Sequence, residues 1–383
     1  MKKKILFCAT VDYHIRLFHL PFIQWLKSQG WEVHVAAAGN SKLPYVDQQY
    51  HLPIHRFPLR KENILAYQLL ESIIESNSYD IVDCHTPVGG MIARLAAKNR
   101  RKDGLKVMYT AHGFHFCKGA PYINWLMYYP IEKLMANYTD LLITINQEDY
   151  QLARQKKFKA ADITHIHGVG VDTDQFFLVS KEQKNNLREK HRFPEDAFLL
   201  FYAAEFNRNK NQAFLIKVLA LLKETLPNAI LVLAGDGKEL SHCRQIAYKM
   251  DVNHMVRFLG YQNNMNVLLQ MSDIVVASSK REGLPVNIME AMSCGLPIVA
   301  FPNRGHRELV LDGVNGWLEC TEKGMAERIV QLAENPPLRF NLGKNGRKII
   351  IEKYSQNQVL AEKRRVYQSI VNEMEERMEW TAH

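Results

Sequence analysis

Two carboxylates stand out in the stretch SSKREGLPVNIMEAMSCGLPIVAF, residues 278–301. Glu282 is followed at once by Gly283, Leu284 and Pro285, and Glu290 is surrounded by Val286, Ile288, Met289, Ala291 and Met292. An acidic side chain in so apolar a neighbourhood needs donors, because an ionised carboxylate taken out of water without hydrogen bonds is costly. A lysine or arginine elsewhere in the chain could supply them, and so could the hydroxyls of a ligand. Glu282 stands where a glycine and a proline mark the first turn of a helix. The free N–H groups of such a turn make an anion site, although a carboxylate there also fits plain compensation of the helix dipole. Glu290 lies about two helical turns further in.

These residues need a scaffold, and the chain supplies one by alternation. Short apolar, β-rich runs take turns with longer helical ones: KILFCAT (4–10), a helix over 15–29 closed by Gly30, WEVHVAAA (31–38), a helix over 64–76, and then strands at 79–85, 105–112 and 140–146. The rhythm breaks at 167–195, where HGVGVDTDQF and the polar SKEQKNNLREKHRFPEDA read as a link between domains. It then restarts with strands at 198–206, 229–237, 255–261, 272–279 and 296–301 and helices at 210–226, 238–249 and 285–293; 321–375 reads as largely helical. Such a pattern means βαβ units, hence parallel sheets with helices on both faces. Ligands of these sheets sit beyond the carboxyl ends of the strands. The residues to weigh are therefore Asp12, His112, the run Glu205 to Lys210, Gly235, Gly260 and Ser279 to Gly283.

Composition narrows the chemistry. At 383 residues the chain is too long for one ordinary core, so two domains are expected. It is 47% hydrophobic and 23% charged, an ordinary globular balance. The apolar N-terminal run stops at Asp12 and His14, so it reads as a first strand rather than a signal peptide. Six scattered cysteines, with no C-x-x-C pair and no clustered histidines, argue against zinc and disulfides and for a reducing, cytoplasmic setting. A net charge of +9 points to an acidic partner, and with no nucleic-acid-binding motif in the chain, nucleotide phosphate or anionic lipid is preferred to nucleic acid. The clusters Arg100-Arg101-Lys102 and Lys156-Lys157-Phe158-Lys159 fit a membrane surface or solvated helix ends. After the first strand comes CATVDYHIR, without the glycines that a redox dinucleotide fold requires; a Walker loop is absent too.

The block EGLPVNIMEAMSCGLPIVA, with Glu, seven residues, Glu and then Ala-x-x-x-Gly-x-Pro, resembles the signature of the retaining nucleotide-sugar glycosyltransferases of family 4. RFLGY, AGDG, MSDIVVASS and RGHRELVLDGVNGWL resemble the same family in the same order, and YTAHGFHFCKGAPYINWLMYYPIEKLMANYTDLLITINQEDY resembles its polysaccharide-building branch. The resemblance runs from about residue 4 to about 360. It implies a GT-B fold, two Rossmann-like domains facing across a cleft. Residues 1–175 would be the acceptor-side domain, 190–360 the donor domain, and a C-terminal helix at about 361–383 would pack back on the first.

For the site, the resemblance implies that Glu290 binds the ribose hydroxyls, that Glu282, Gly283 and Leu284 hold the donor sugar and its phosphate, and that Gly235 lines the donor pocket. Lys210 would stabilise the leaving diphosphate, and His112 would reach the transferred sugar. The arginine usually found about five residues before this lysine is replaced by Glu205, so Arg208 is the candidate second cation. Many relatives carry paired glycines after the first strand; here VDYHIRLFHLP stands instead, and Asp12, Tyr13 and His14 are assigned to the acceptor side.

The expected reaction moves a hexose or N-acetylhexosamine from a UDP-sugar to a saccharide on an undecaprenyl-type lipid carrier, with retention and with no metal or other cofactor. It would take place in the cytoplasm, at the inner face of the cell membrane, in capsule, exopolysaccharide or glycan assembly. Two alternatives stay open from sequence: a non-catalytic nucleotide- or glycan-binding subunit of a transferase, which Glu205 favours, and a nucleotide-sugar epimerase on the same fold.

Overall fold

The computed structural model describes residues 2–382, and side chains over 2–376. The chain divides into two compact units, Met1–Gly170 with Val359–His383, and Val171–Gln358.

The first unit runs β1 (Lys4–Val11), α1 (Asp12–Phe18), α2 (Leu20–Ser28), β2 (Glu32–Ala38), β3 (Gln48–His51), α3 (Glu62–Ser76), β4 (Ile81–His85), α4 (Pro87–Ala97), β5 (Lys106–Ala111), α5 (Tyr122–Met135), β6 (Leu141–Thr144), α6 (Gln147–Gln155) and β7 (Asp162–His165). Its strands form one parallel sheet in the order β3-β2-β1-β4-β5-β6-β7. β4 and β5 are buried at every position, as strands covered on both faces must be. The helix expected over 15–29 is two helices. Pro21 has no N–H to give a continuing helix, so it sits in the first turn of a second one, and His19 occupies the joint.

The second unit runs α7 (Lys181–Lys190), β8 (Phe198–Ala203), α8 (Gln212–Leu222), β9 (Ala229–Ala234), α9 (Leu240–Lys249), β10 (Val256–Gly260), α10 (Met265–Met271), β11 (Ile274–Ala277), α11 (Val286–Ser293), β12 (Ile298–Ala300), α12 (Arg304–Leu309), β13 (Gly316–Leu318), α13 (Glu322–Glu334) and α14 (Pro336–Ile349). The sheet is again parallel, in the order β10-β9-β8-β11-β12-β13. The polar stretch expected to be a link is α7, a helix with a capping box between Ser180 and Gln183. It is anchored by Arg188, which donates to Asp273 at 2.6 Å and to the carbonyls of Met271 and Ala197.

The last helix, α15 (Gln356–Ala382), belongs to the first unit from Val359 onward. There Tyr367 donates to Asp83, Glu362 meets His167 at 2.6 Å, and Glu373 meets Lys106 at 2.5 Å. Of the stretch 361–383, residue 383 lies outside the described residues, as do the side chains of 377–382. Among the described residues, no helix is long and apolar enough to cross a membrane.

Candidate functional site

Both sheets change direction once. In the second, the chain works outward from β8 to β9 and β10, then returns to lay β11 against the other side of β8. The carboxyl ends of β8 and β11 therefore flank a topological switch point, where open α/β sheets bind ligands.

The loop after β8 is shaped by asparagines. Asn207 Oδ1 accepts from the N–H groups of Asn209 and Lys210, both at 3.0 Å, and Asn211 takes the left-handed conformation at φ 55°. The loop is stitched to the one after β11. Ser278 Oγ donates to the Lys210 carbonyl at 2.7 Å, Asn209 Nδ2 to the Arg281 carbonyl at 2.9 Å, and Lys280 N–H to the Asn209 carbonyl at 2.8 Å. Lys210 Nζ is thereby delivered to Glu282 Oε1 at 2.5 Å. Beneath them the buried Tyr202 hydroxyl shares a 2.6 Å hydrogen bond with Ser279, and burial, reinforced by the Glu282 charge, pushes its pKa up. Asn287, in the first turn of α11, donates to the Ala203 carbonyl at 2.9 Å and ties that helix to the end of β8.

Glu290 lies on α11 between the buried Met289 and Ala291, and is itself half-buried. Its carboxylate has no hydrogen-bond or ion-pair partner among the described residues, and burial pushes its pKa up from 4.5 to about 7. Among the described residues no cation pairs with Glu290; Lys210 pairs with Glu282 instead.

Gly283 and the buried Leu284 continue the Glu282 loop into α11. That loop has a second wall that the sequence reading missed. Arg304 Nε donates to the Glu282 carbonyl at 2.9 Å, and a Cβ at Gly305 would come within 2.9 Å of Glu282 Cβ and the Gly283 carbonyl. Only the motif RGHRELV, already part of the resemblance, could have flagged Arg304. Two other expected donor residues lie apart from this group. Arg208 is 95% exposed and stands 3.7 Å from Glu239. Gly235, at φ 132°, lets β9 turn against the end of β8, where a Cβ would meet the Ala204 carbonyl at 2.2 Å.

In the first unit the direction changes between β1 and β4. Asp12 is buried, and its carboxylate accepts from Ser41 N–H at 2.7 Å, which pins α1 to the chain beyond β2. His14 and His112 lie together, Nε2 to Nε2 at 3.2 Å, with His85 and His19 beside them. The expectation of no clustered histidines is thus overturned: three chain segments, after β1, at the end of β4 and after β5, deliver four rings. Burial is the main cause of lowered pKa values for His14, to about 3, and for His19 and His112, well below the usual range; neighbouring histidines and Lys363 add to it. Burial likewise lowers Lys363 to about 8, partly offset by Asp83.

Comparison with known proteins agrees with this architecture. Residues 183–349 match the family of glycosyl transferases group 1, and residues 4–146 match the glycosyl transferase 4-like family. EpsD of Bacillus subtilis, a protein assigned as a glycosyltransferase, is 49% identical over 97% of this chain and 98% of its own length. This chain belongs to the glycosyltransferases. An Escherichia coli enzyme named UDP-Gal:alpha-D-GlcNAc-diphosphoundecaprenol alpha-1,3-galactosyltransferase is 29% identical to this glycosyltransferase over 65% of the chain and 64% of its own length. The crystal structure of Anabaena HepE in complex with UDP and glucose superposes with a TM-score of 0.79 at 20% identity, covering 96% of this chain and 100% of HepE. The two parallel-sheet α/β units are those of a GT-B glycosyltransferase.

Proposed function

We propose that this glycosyltransferase transfers a hexose or N-acetylhexosamine from a UDP-sugar, with retention, to a lipid-linked saccharide in the assembly of an exopolysaccharide or related glycan. The observation that carries the donor half is Glu290. A half-buried carboxylate without a protein partner, on a helix that starts at the switch point, is suited to accept from the two hydroxyls of a ribose. Glu282, eight residues before Glu290 in the chain, and Lys210, which pairs with it from the loop after β8, supply an acceptor for sugar hydroxyls and a cation for the diphosphate. HepE binds UDP and glucose, and the E. coli relative is named for UDP-Gal and a diphosphoundecaprenol-linked acceptor; both support the same choice of donor and acceptor class.

In this reading the acceptor oxygen forms a bond to the anomeric carbon on the face that the phosphate leaves. The carbon–phosphate-oxygen bond breaks, UDP departs, and its leaving oxygen takes the proton of the acceptor hydroxyl. Catalysis is then positioning plus stabilisation of the charge gathering on the diphosphate, which Lys210 provides. Nothing in the scheme requires a protein base or asks His112 to touch the sugar, and it names no metal or other cofactor. For the acceptor, α5 turns Trp125, Tyr128 and Tyr129 onto the core but leaves Tyr122, Ile123 and Leu126 exposed, closely following the exposed Lys118 in the chain, a surface suited to an anionic membrane at its cytoplasmic face.

A panel of UDP-sugars in a thermal-shift assay tests the donor, since a ligand raises stability by RT ln(1 + [L]/Kd). One sugar is expected to stand out and to release UDP slowly, and Lys210→Ala is expected to lower kcat about 10²–10³-fold. No shift with any member would refute the assignment. The exposure of Arg208 favours a second reading, a binding subunit without turnover; a donor that shifts stability yet releases no UDP and transfers to no acceptor would select it.

A further inference from the structure

We propose that His14, His19, His85 and His112 form a binding site for a tetrahedral divalent transition-metal ion, zinc by its ligand chemistry. The site lies wholly within the first unit. β1, β4 and β5 are neighbours in its sheet, and their carboxyl ends deliver the four rings: His14 from α1, His19 from the joint before α2, His85 from the last position of β4, and His112 from just after β5. One ring nitrogen of each lies within 4.8 Å of all the others.

Geometry distinguishes this group from a stack of ordinary core histidines. His112 Nε2 stands 3.2 Å from His14 Nε2 and 3.4 Å from His85 Nδ1. A neutral ring nitrogen either donates one proton or accepts at one lone pair, so His112 Nε2 can serve both neighbours only by splitting a single proton between two long hydrogen bonds. A common cation accepts all three lone pairs at once. At a zinc–nitrogen distance of about 2.0–2.1 Å, the edge of a tetrahedron is about 3.3 Å, which is the spacing of both pairs.

Two further observations point the same way. His19 is 1% exposed, and its Nε2 is buried with no hydrogen-bond partner. The rings of His19 and His85 stack with centroids 3.9 Å apart, so the unpartnered nitrogen belongs to the same group. His85 Nε2, on the far edge of its ring, stands 3.4 Å from Asp83 Oδ2 without forming a hydrogen bond, and Tyr367 donates to Asp83. A carboxylate on that side of a ligating imidazole favours the tautomer protonated at Nε2, which leaves Nδ1 free for the metal. Among the described residues, Lys363, buried nearby, is the opposing charge, and Asp83 offsets it.

Four protein ligands close a zinc site to substrate. The ion would therefore be structural, clamping the joint between α1 and α2 to the centre of the sheet. It would also occupy His112 Nε2, so the site replaces the direct contact between that side chain and the transferred sugar that the resemblance implies. The inference uses first-unit residues only and stands or falls separately from the donor reading.

The test uses untagged full-length protein, stripped with a chelator and then given Zn²⁺ or Co²⁺ alone. One zinc per chain is expected after dialysis, with a rise in Tm, and cobalt should show the strong visible absorption of four-coordinate Co²⁺. His19→Gln and His85→Gln should abolish stoichiometric binding, and Asp83→Asn should weaken it about 10–100-fold. Should the buried variants fail to fold, the rim pair His14→Gln with His112→Gln, checked by circular dichroism, carries the same expectation. Absence of stoichiometric zinc in the wild type, or equal Zn²⁺-induced Tm shifts in wild type and folded variants, would overturn the proposal.

Discussion

Glu290→Gln separates a binding carboxylate from a structural one, because the two make opposite predictions for the unliganded protein. Raising a carboxyl from 4.5 to about 7 costs the ionised form about 3 kcal/mol. The substitution keeps the shape and removes the charge, at the expense of a part-buried amide that lacks partners, about 1 kcal/mol. The variant should therefore be more stable than the wild type by about 2 kcal/mol at pH 8, a rise in Tm of about 4–8 °C for a domain of this size.

The pH dependence follows from linkage. The folded value is raised, so between 4.5 and about 7 the folded state holds a proton that the unfolded state has lost. Wild-type stability thus falls as pH rises through that window and levels off above it. The advantage of Glu290→Gln should be absent near pH 4.5, where both carry a neutral group, and complete above pH 7. Donor binding should run the other way: the variant loses two charge-assisted hydrogen bonds to ribose, each worth about 1.5–3 kcal/mol, so the UDP-induced shift in Tm should largely vanish. Paired urea titrations at pH 5 and pH 8, with and without UDP, read all of this. A variant less stable than wild type at pH 8 would mean that Glu290 has an internal partner, and the argument for a ribose-binding carboxylate would fail.

Two further substitutions probe the scaffold. Glu132 accepts from Arg94 at 2.8 Å and Tyr109 at 2.9 Å in the core of the first unit, and the Arg94 guanidinium also lies over the Tyr109 ring. Glu132→Gln leaves a buried guanidinium uncompensated and should cost about 3–5 kcal/mol in urea unfolding; a cost below about 1 kcal/mol would show that the pair is solvated. Burial alone would raise the pKa of Asp273, but Lys184 and Arg188 more than offset it and hold the carboxyl below 3.8. Its contribution is therefore present above pH 3.8 and lost as pH falls through the lower folded value. Asp273→Asn should destabilise the protein at pH 7 and flatten the acid limb of its stability curve, and an unchanged acid limb would refute the assignment.

The sheets were legible because their central strands are continuous aliphatic runs, whose only stable fate is burial on both faces. KILFCATV, FLLFYA and AILVLA could be little else. α7 was not legible, since KEQKNNLREK has no apolar stripe; what holds it is an arginine aimed at Asp273, 85 residues away. Glu282 and Glu290 were legible as a pair because local spacing on one loop and helix sets their relation. The state of Glu290 was not, because the lack of a partner depends on where every cation in the fold ends up. The histidine group lay beyond reach for a related reason. Its members come from three segments, and only the strand order β1-β4-β5 makes them neighbours.

The two switch points thus carry different kinds of chemistry on the same topology. In the second unit the groups are charged and the loops that hold them are tied down before any ligand arrives: Asn207 and Ser278 hold the Lys210 N–H and carbonyl, and Asn209 ties the same loop to the Arg281 carbonyl. A cation held in this way stabilises a departing diphosphate without reorganising first, which is where most of its catalytic value lies. The loss of an arginine at position 205 weighs less in that setting than sequence suggests. The Glu282 loop has a cation on each side, Lys210 on its carboxylate and Arg304 on its carbonyl. In the donor reading proposed above, an anion entering there would draw on Lys210 and Arg304 rather than on the exposed Arg208.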